Sequence, residues 1–393
     1  MYGVCKEAAW PVGNTKMVTE RKQIVLNTTA HTYESISSGL LEVVALLQNG
    51  LTPSDRFRMR QNIPYLAELG VRVKGFTPFI SPYSRLPGRL RYVRERYLFP
   101  ISLMKAMLVV VGRIPGTIAS YKADLTWIGR SYVPGLEGLV QLVRGPRVLD
   151  VDDAIWMTTP LGQGAAAKFA KKMDAVIANN DFVADWYSQY CRNVYVVPDG
   201  IDTNRFKRSD KKLQRDSDEF TIGWTGTASN YHELYRVELI LARFLCNHPK
   251  TRLRVISNAF PKFKKIPSDQ FEFRQWSAEA EGRNLNDLDV GIMPMCETEW
   301  TKGKNSNKML CYMASGLPVV VSPVGTNKEI LAMGDIGLAP DSMDGWYDCL
   351  VTLFNNRGIG AAMGMRGRAI VERTFSVTVV SAQLARIFHK IVD

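Results

Sequence analysis

The stretch 289–330, DVGIMPMCETEWTKGKNSNKMLCYMASGLPVVVSPVGTNKEI, limits what this chain can fold into more than any other part of it. Two short apolar runs, DVGIMP and LPVVVSP, have the unbroken hydrophobicity of parallel strands covered on both faces. Between them the pattern predicts a helix over 306–315, opening on Ser-Asn-Lys and stopping at Gly316. The second run enters a Pro-Val-Gly turn, and another helix is expected from about Asn327. This order places two helix N-termini beyond the carboxyl ends of neighbouring strands, the edge where open α/β sheets bind ligands. Free N–H groups and the positive end of the helix dipole suit phosphate there. Lys302, Lys304 and Lys308 add mobile cations at the same place.

With 393 residues the chain can form two α/β domains of ordinary size. A hydrophobic share of 46% and a charged share of 22% describe a globular protein. The six cysteines are scattered without a CxxC pair, and the four histidines are unclustered. Neither a metal site nor a disulfide framework is expected, and free thiols suit a reducing, cytoplasmic setting. Residues 1–16 lack the apolar core of a signal peptide. The longest apolar stretch, 98–112, is interrupted by Lys105 and falls short of the about 20 residues that a bilayer span needs. No transmembrane helix is expected.

The net charge of +12 favours anionic partners. Its sharpest local source is RLPGRLRYVRERY, 85–97, with Arg85, Arg89, Arg91, Arg94 and Arg96 against one glutamate. That run reads either as a contact for an anionic membrane surface or as a solvated helix face with its loop. The sequence has no interleaved basic and aromatic platform, so no specific nucleic-acid partner is expected.

Residues 1–38 read as an extension holding one strand at 23–28. Strands follow at 41–47, 71–76, 123–128, 147–151, 175–178 and 194–197, with a loop and then a helix over 59–69. The first domain is expected over 39–206. A polar linker, KRSDKKLQRDSDE, spans 207–219. The second domain, 220–375, opens with FTIGWTGTASN, a strand entering a Gly-Thr loop. It continues through strands at 253–256 and 271–273 to the 289–330 block. A last helix is expected over 376–393.

The 289–330 block resembles the donor-binding segment of the retaining family 4 glycosyltransferases (glycosyl transferases group 1). It is similar to a branch reading DVGIMPL, W-x-x-GK, K-L-x-x-Y-M-A-x-G-x-P-V-V and SPVG-x-N-x-EI. The matching residues here are Trp300, Gly303, Lys304, Lys308, Tyr312, Met313, Ala314, Gly316, Pro318, Gly325, Asn327 and Glu329. SDRFRMRQNIPYLAELGVRV, 54–73, resembles the opening of the same branch, so the likeness spans roughly 41–380. It implies a GT-B architecture: an α/β protein of two Rossmann-like parallel-sheet domains facing across a cleft. The C-terminal helix of that architecture often packs back on the first domain. The implied activity is transfer of a sugar from a nucleotide-diphosphate sugar to a glycan or lipid-linked acceptor, as in polysaccharide biosynthesis, with no cofactor or metal. The implied setting is the cytoplasm or the inner face of a membrane. One departure is plain. Many relatives carry two glutamates with seven residues between them in this block, where this chain has Gly303 and Cys311. That departure motivates a rival reading, a non-catalytic membrane- or polyanion-binding protein on a degenerate GT-B scaffold.

Lys308 is the first candidate site residue, since a cation beside the diphosphate offsets charge growing on the leaving group. Lys304 is the second. The alternative makes both surface lysines, although a helix N-terminus disfavours cations. Gly226 and Thr227 form either a phosphate-approaching loop or an ordinary turn. Gly325, Thr326 and Asn327 make the last phosphate- or sugar-facing turn, and Glu329 either caps a dipole or accepts a hydroxyl. DVDDAIW, 150–156, has the D-x-D form of metal-dependent sugar transferases. At the end of a strand late in the first domain, Asp152 and Asp153 instead read as cleft residues or helix caps. Asp153 is the candidate that bonds donor or acceptor hydroxyls. Arg56 and Arg58 read as anion holders on the acceptor side or as surface arginines. Asn180 corresponds to a cleft-facing residue of the branch.

Overall fold

The computed structural model describes residues 39–49, 52–80, 99–133, 136–157, 162–207 and 219–393. The expected strand at 23–28, the arginine run 85–97 and most of the linker lie outside these residues.

Two six-stranded sheets form the frame, and every pairing in both is parallel. The first contains β1 (Leu41–Leu46), β2 (Val71–Phe76), β3 (Leu125–Gly129), β4 (Arg147–Val151), β5 (Ala175–Ala178) and β6 (Val194–Val196), in the order β2-β1-β3-β4-β5-β6. The second contains β7 (Phe220–Thr225), β8 (Thr251–Ser257), β9 (Phe271–Gln275), β10 (Val290–Met293), β11 (Val319–Val321) and β12 (Gly337–Leu338), in the order β12-β11-β10-β7-β8-β9. The central strands β3, β5, β7, β10 and β11 are buried at every residue. Helices cover both faces of each sheet, so a side chain pointing either way meets a core. The strand order turns from leftward to rightward growth beside β1 and β3 in one sheet and beside β7 and β10 in the other. Ligand crevices form at such reversals.

The 289–330 block folds as its pattern predicts. Asn307–Ala314 is a helix whose C-terminal side stops at Gly316, φ +69°. Thr326–Leu331 is the next helix, entered through Gly325 at φ +52°. Tyr312 anchors the first of these helices beneath β7 and β10. Its hydroxyl accepts from the Thr225 N–H at 2.8 Å and donates to the Ile292 carbonyl at 3.3 Å. The ring lies against Gly291, where a Cβ would come within 2.2 Å of it.

Two expectations need correction. The segment after β1 is not a loop up to residue 59, because Asp55–Met59 already forms a wide helical turn. Its Arg60 N–H reaches the Asp55 carbonyl five residues back. The turn is held by tertiary contacts that local preference does not reveal: Phe57 enters a core shared with the second domain, and Arg58 is buried among carboxylates. The apolar stretch expected at 98–112 belongs to a longer helix, Phe99–Ser120, of 22 residues.

The chain links the domains twice. Ile201 and the 375–377 segment form a short parallel bridge, with Ile201 N–H to Phe375 O at 2.7 Å and Val377 N–H to Ile201 O at 2.9 Å. Beyond it the helix Val377–Val392 returns to the first domain. Val380, Leu384, Ile387 and Phe388 join that domain's core, and Phe388 meets Trp127 edge-on at 5.2 Å.

Candidate functional site

The polar residues of interest sit just past the carboxyl ends of strands. Arg130 follows β3, Asp152 and Asp153 follow β4, Asn180 follows β5, and Asp199 follows β6. In the second domain Gly226 follows β7, the lysine loop 302–308 follows β10, and Gly325 follows β11. The two sheets present these edges to one another, so one cleft collects all of them.

On the first domain's side, Arg58 is 5% exposed and lies between two carboxylates, Asp150 at 2.7 Å and Asp199 at 3.1 Å. It also donates to the Val197 carbonyl at 2.6 Å. Burial works against its charge, but Asp150 and Asp199 outweigh that and raise its pKa. One guanidinium cannot offset two buried carboxylates. Burial therefore pushes Asp199 up to about 6, with Arg58 opposing and Asp152 adding repulsion. Arg58 is thus an organiser of the acidic cluster rather than a cation facing a ligand. Arg56 is likewise engaged: both its terminal nitrogens bond Glu281 of the second domain, and the guanidinium stacks over Phe57 and Trp276.

Arg130 takes up a left-handed backbone, φ +58°, rare for a side chain of this size. Its guanidinium pairs with Asp152 at 2.9 Å and with Asp153. Burial first, then Asp152, pushes the Asp153 carboxyl up to about 7, against the pull of Arg130 and Lys304. Asp153 therefore titrates near neutrality. Its folded pKa lies above the ordinary 3.8, so the stability this group contributes is full below pH 3.8 and lost as pH rises through about 7. Asp153→Asn removes that loss. We expect it to match the parent near pH 4 and to melt higher than the parent at pH 8, as scanning calorimetry at both pH values would show. A variant less stable than the parent at pH 8 would mean that the ion pair with Arg130 outweighs burial.

On the facing domain, Lys308 is partly accessible by surface yet densely surrounded by protein. Burial, reinforced by Lys304, pushes its pKa down to about 7, with Glu233 and Asp153 opposing. Its ammonium lies 5.6 Å from the Trp224 ring centre. Gly226 makes room for it, since a Cβ there would come within 2.7 Å of Lys308 Cε. Lys304 Nζ donates to Asn230 Oδ1 at 2.9 Å, and Asn230 in turn donates to Thr227 Oγ1 at 3.0 Å. The Gly226–Thr227 loop and the lysine loop are therefore tied together.

The remaining predicted residues divide. Asn180 caps the helix Asp181–Tyr187 through Val183 N–H at 2.9 Å. Its amide also reaches across the cleft to Thr326 Oγ1 at 3.3 Å. Gly325 packs against Thr301 O, 3.0 Å from where a Cβ would sit. Asn327 does not face the cleft. It is fully buried, and its amide donates to the Ser322 carbonyl at 3.1 Å, holding the turn. Glu329 is exposed, and partial burial together with Asp181 raises its pKa.

Asp199, Asn305, Arg130 and Glu281 were not anticipated. Asn305 Nδ2 donates to Asp199 Oδ2 at 2.5 Å, which fastens the lysine loop to the first domain. Asp199 stands in VVPDGID, where it reads as an ordinary turn residue, and only the approach of Arg58 reveals it. The structure also accounts for Gly303 and Cys311. A Cβ on Gly303 would lie 2.7 Å from Ala154 Cβ in the opposite domain, and Cys311 is 4% exposed within the core. A carboxylate fits neither place in this closed arrangement. Gly303→Ala should hold the domains apart, giving a larger radius of gyration by solution scattering than the parent. An unchanged radius would show that Ala154 yields instead.

Comparison with known proteins follows this geometry. Residues 219–356 match the model of a family described as Glycosyl transferases group 1. A search of curated proteins finds no match. Among solved structures, the chain resembles a sucrose-phosphate synthase from Thermosynechococcus elongatus, with 15% identity, 89% of this chain and 98% of that one covered, and a TM-score of 0.65. It also resembles Anabaena HepE in complex with UDP and glucose, with 15% identity, 88% and 99% covered, and a TM-score of 0.63. A glycosyltransferase from Rickettsia africae aligns at 12% identity, 90% and 99% covered, with a TM-score of 0.60. The chain therefore has the GT-B fold, and residues 219–356 carry the sequence pattern of glycosyl transferases group 1.

Proposed function

We propose that this protein is a nucleotide-sugar-dependent glycosyltransferase that retains anomeric configuration and acts on a glycan or lipid-linked acceptor. The observation that carries the reading is the lysine pair: Lys304 and Lys308 stand beyond β10, with Gly226 beside Lys308 and Asp153 within electrostatic reach across the cleft. The family match over 219–356 supports sugar transfer, and the complexes of HepE with UDP and with UDP-glucose support a nucleotide sugar as donor.

In this reading the second domain holds the donor. The loop after β7, the turn at Gly325 and the two ammonium groups bind the diphosphate. As the bond between the anomeric carbon and the phosphate oxygen breaks, negative charge grows on the leaving diphosphate, and Lys308 offsets it in a water-poor site. The acceptor oxygen attacks from the same face, and its proton passes to a leaving-phosphate oxygen. Asp153 orients a sugar hydroxyl, while Asn180 and Asn305 hold the lysine loop in place. Sequestering the cation at low dielectric strengthens its effect on the leaving group and lowers its own pKa through the same burial.

The test is thermal unfolding of the purified protein with UDP, GDP, ADP, CMP and dTDP, followed by transfer assays with sugars of the base that binds. One nucleotide should raise the transition, and its sugar conjugates should be consumed. If no nucleotide shifts the transition and no conjugate is turned over, the reading fails in favour of a non-catalytic scaffold.

A further inference from the structure

Asn179 follows β5 directly, and its side chain is buried in a place where the protein does not satisfy it. The residue is 4% exposed, and among the described residues neither its Oδ1 nor its Nδ2 has a hydrogen-bond partner. Burying an amide unpaired is costly, so what surrounds this one carries information. Strand alternation fixes where it points. Leu149 and Val151 of β4 and Val176 and Ala178 of β5 enter one core. Val148, Ala175 and Ile177 enter the core on the opposite face, with Trp127 and Val197. The ladder continues past the strand ends: Asn179 N–H donates to the Val151 carbonyl at 3.1 Å, and Val197 N–H donates to the Ala178 carbonyl at 2.8 Å. Asn179 therefore shares the second face with Asp150, whose carboxylate accepts from Trp127 Nε1 at 3.0 Å. Extending the register of β4, β5 and β6 by one residue makes Asp152 and Val197 its lateral neighbours.

Arg58 crosses above this position. Its guanidinium bonds Asp150 on β4 and the Val197 carbonyl just past β6, so it spans β5, the strand between them. Its Nη2 is buried and, among the described residues, has no hydrogen-bond partner either. Asn305 of the second domain reaches the same group from the cleft through Asp199. A guanidinium nitrogen and both atoms of an amide thus stand unpaired on one sheet face, beside the carboxylates Asp150, Asp152 and Asp199.

Charge selects the ligand. Three carboxylates oppose an anion. The fixed guanidinium opposes a metal ion, and among the described residues no group of three acidic, histidine or cysteine side chains is arranged to hold one. A small uncharged group that both donates and accepts suits every atom present. We propose that a water molecule is built into this place, accepting from Arg58 Nη2 and bonding the Asn179 amide and Asp152. Internal waters serve buried polar groups in this way, with about three hydrogen bonds each. The water ties the ends of β4 and β5 to the guanidinium beneath the Asn305–Asp199 contact. It thereby stiffens the wall of the first domain against which the lysine loop closes.

A crystal structure of the unliganded full-length protein, at a resolution that shows solvent, tests this. One ordered peak should lie within about 3.2 Å of both Arg58 Nη2 and the Asn179 amide. Three results would overturn the proposal: no peak there, a direct bond from the Asn179 amide to another protein atom, or a peak ringed by about six or more oxygens, which marks a cation. Thermal unfolding of Asn179→Leu gives a second reading in solution. Leucine keeps the forked outline of asparagine, displaces the water and strands Arg58 Nη2, so the variant should melt about 2–4 °C below the parent. A dry site reverses the sign, because the substitution then removes only an unpaired amide. A variant at least as stable as the parent therefore sinks the proposal. Neither readout uses nucleotide or turnover, so the outcome is independent of sugar transfer.

Discussion

Replacing Lys308 with methionine should cut nucleotide-dependent stabilisation by about half or more while leaving the unliganded protein at least as stable. The two halves of this expectation have one cause. The parent keeps an ammonium group in a place where burial and Lys304 together drive its pKa down to about 7. A lowered folded pKa means the unfolded chain takes up the proton more readily, so this group's contribution falls as pH drops from 10.5 through 7. Methionine keeps the packing against Trp224 and Gly226 without the charge. A nucleotide at a hundred times its dissociation constant stabilises the parent by about 2.7 kcal/mol. Loss of a charge-assisted bond to phosphate removes about 1.5–3 kcal/mol of binding, about ten- to a hundredfold in affinity. Turnover should fall further, by about 10²–10³, because charge on the leaving group grows as the bond breaks. Thermal melts with and without nucleotide, and initial rates at saturating donor, read each part. If the unliganded variant melts well below the parent, the lysine is structural. If the nucleotide shift survives undiminished, the diphosphate lies elsewhere.

The second large effect concerns stability. Arg58→Ala leaves Asp150 and Asp199 buried without their cation, a defect that costs about 3–5 kcal/mol. For a domain of this size that lowers its unfolding transition by about 10 °C. The loss should depend on pH in a defined direction. Asp199 in the parent already titrates at about 6, and removal of Arg58 raises it further. A carboxyl whose folded pKa lies above its unfolded value stabilises fully below the unfolded pKa and loses that contribution as pH rises. The gap between parent and variant should therefore be wide at pH 8 and narrow by pH 5. A gap equal at both pH values would mean that lost packing, not stranded charge, is responsible. The lysine loop should loosen as well, because Asp199 is the acceptor for Asn305.

These cases show how the local and the assembled levels divide. Apolar runs such as VGIM and VVV state their own burial, because a parallel strand covered on both faces has no polar side to alternate with. Gly316 and Gly325 stop and start helices by a backbone conformation that other residues resist, so the ends of the 307–314 and 326–331 helices were legible. The placement of Lys308 in the first turn of the 307–314 helix was legible as well. What the residues alone did not convey were the partners. Arg56 and Arg58 have the same local surroundings, yet one ties Glu281 across the cleft and the other holds two carboxylates in the first domain. Asn327 lies in a motif of cleft residues, but its side chain turns inward to Ser322.

The sequence by itself determined the two parallel sheets, the order of their elements and the edge at which chemistry gathers, since periodicity, glycine positions and strand composition act over a few residues. The tertiary structure alone decided which carboxylates share a cation, why Gly303 and Cys311 leave no room for acids, and which face of the 99–120 helix stays uncovered. Those properties depend on contacts between residues far apart in the chain and on the removal of water around them. Burial, pairing and exposure are set only when the domains close on one another.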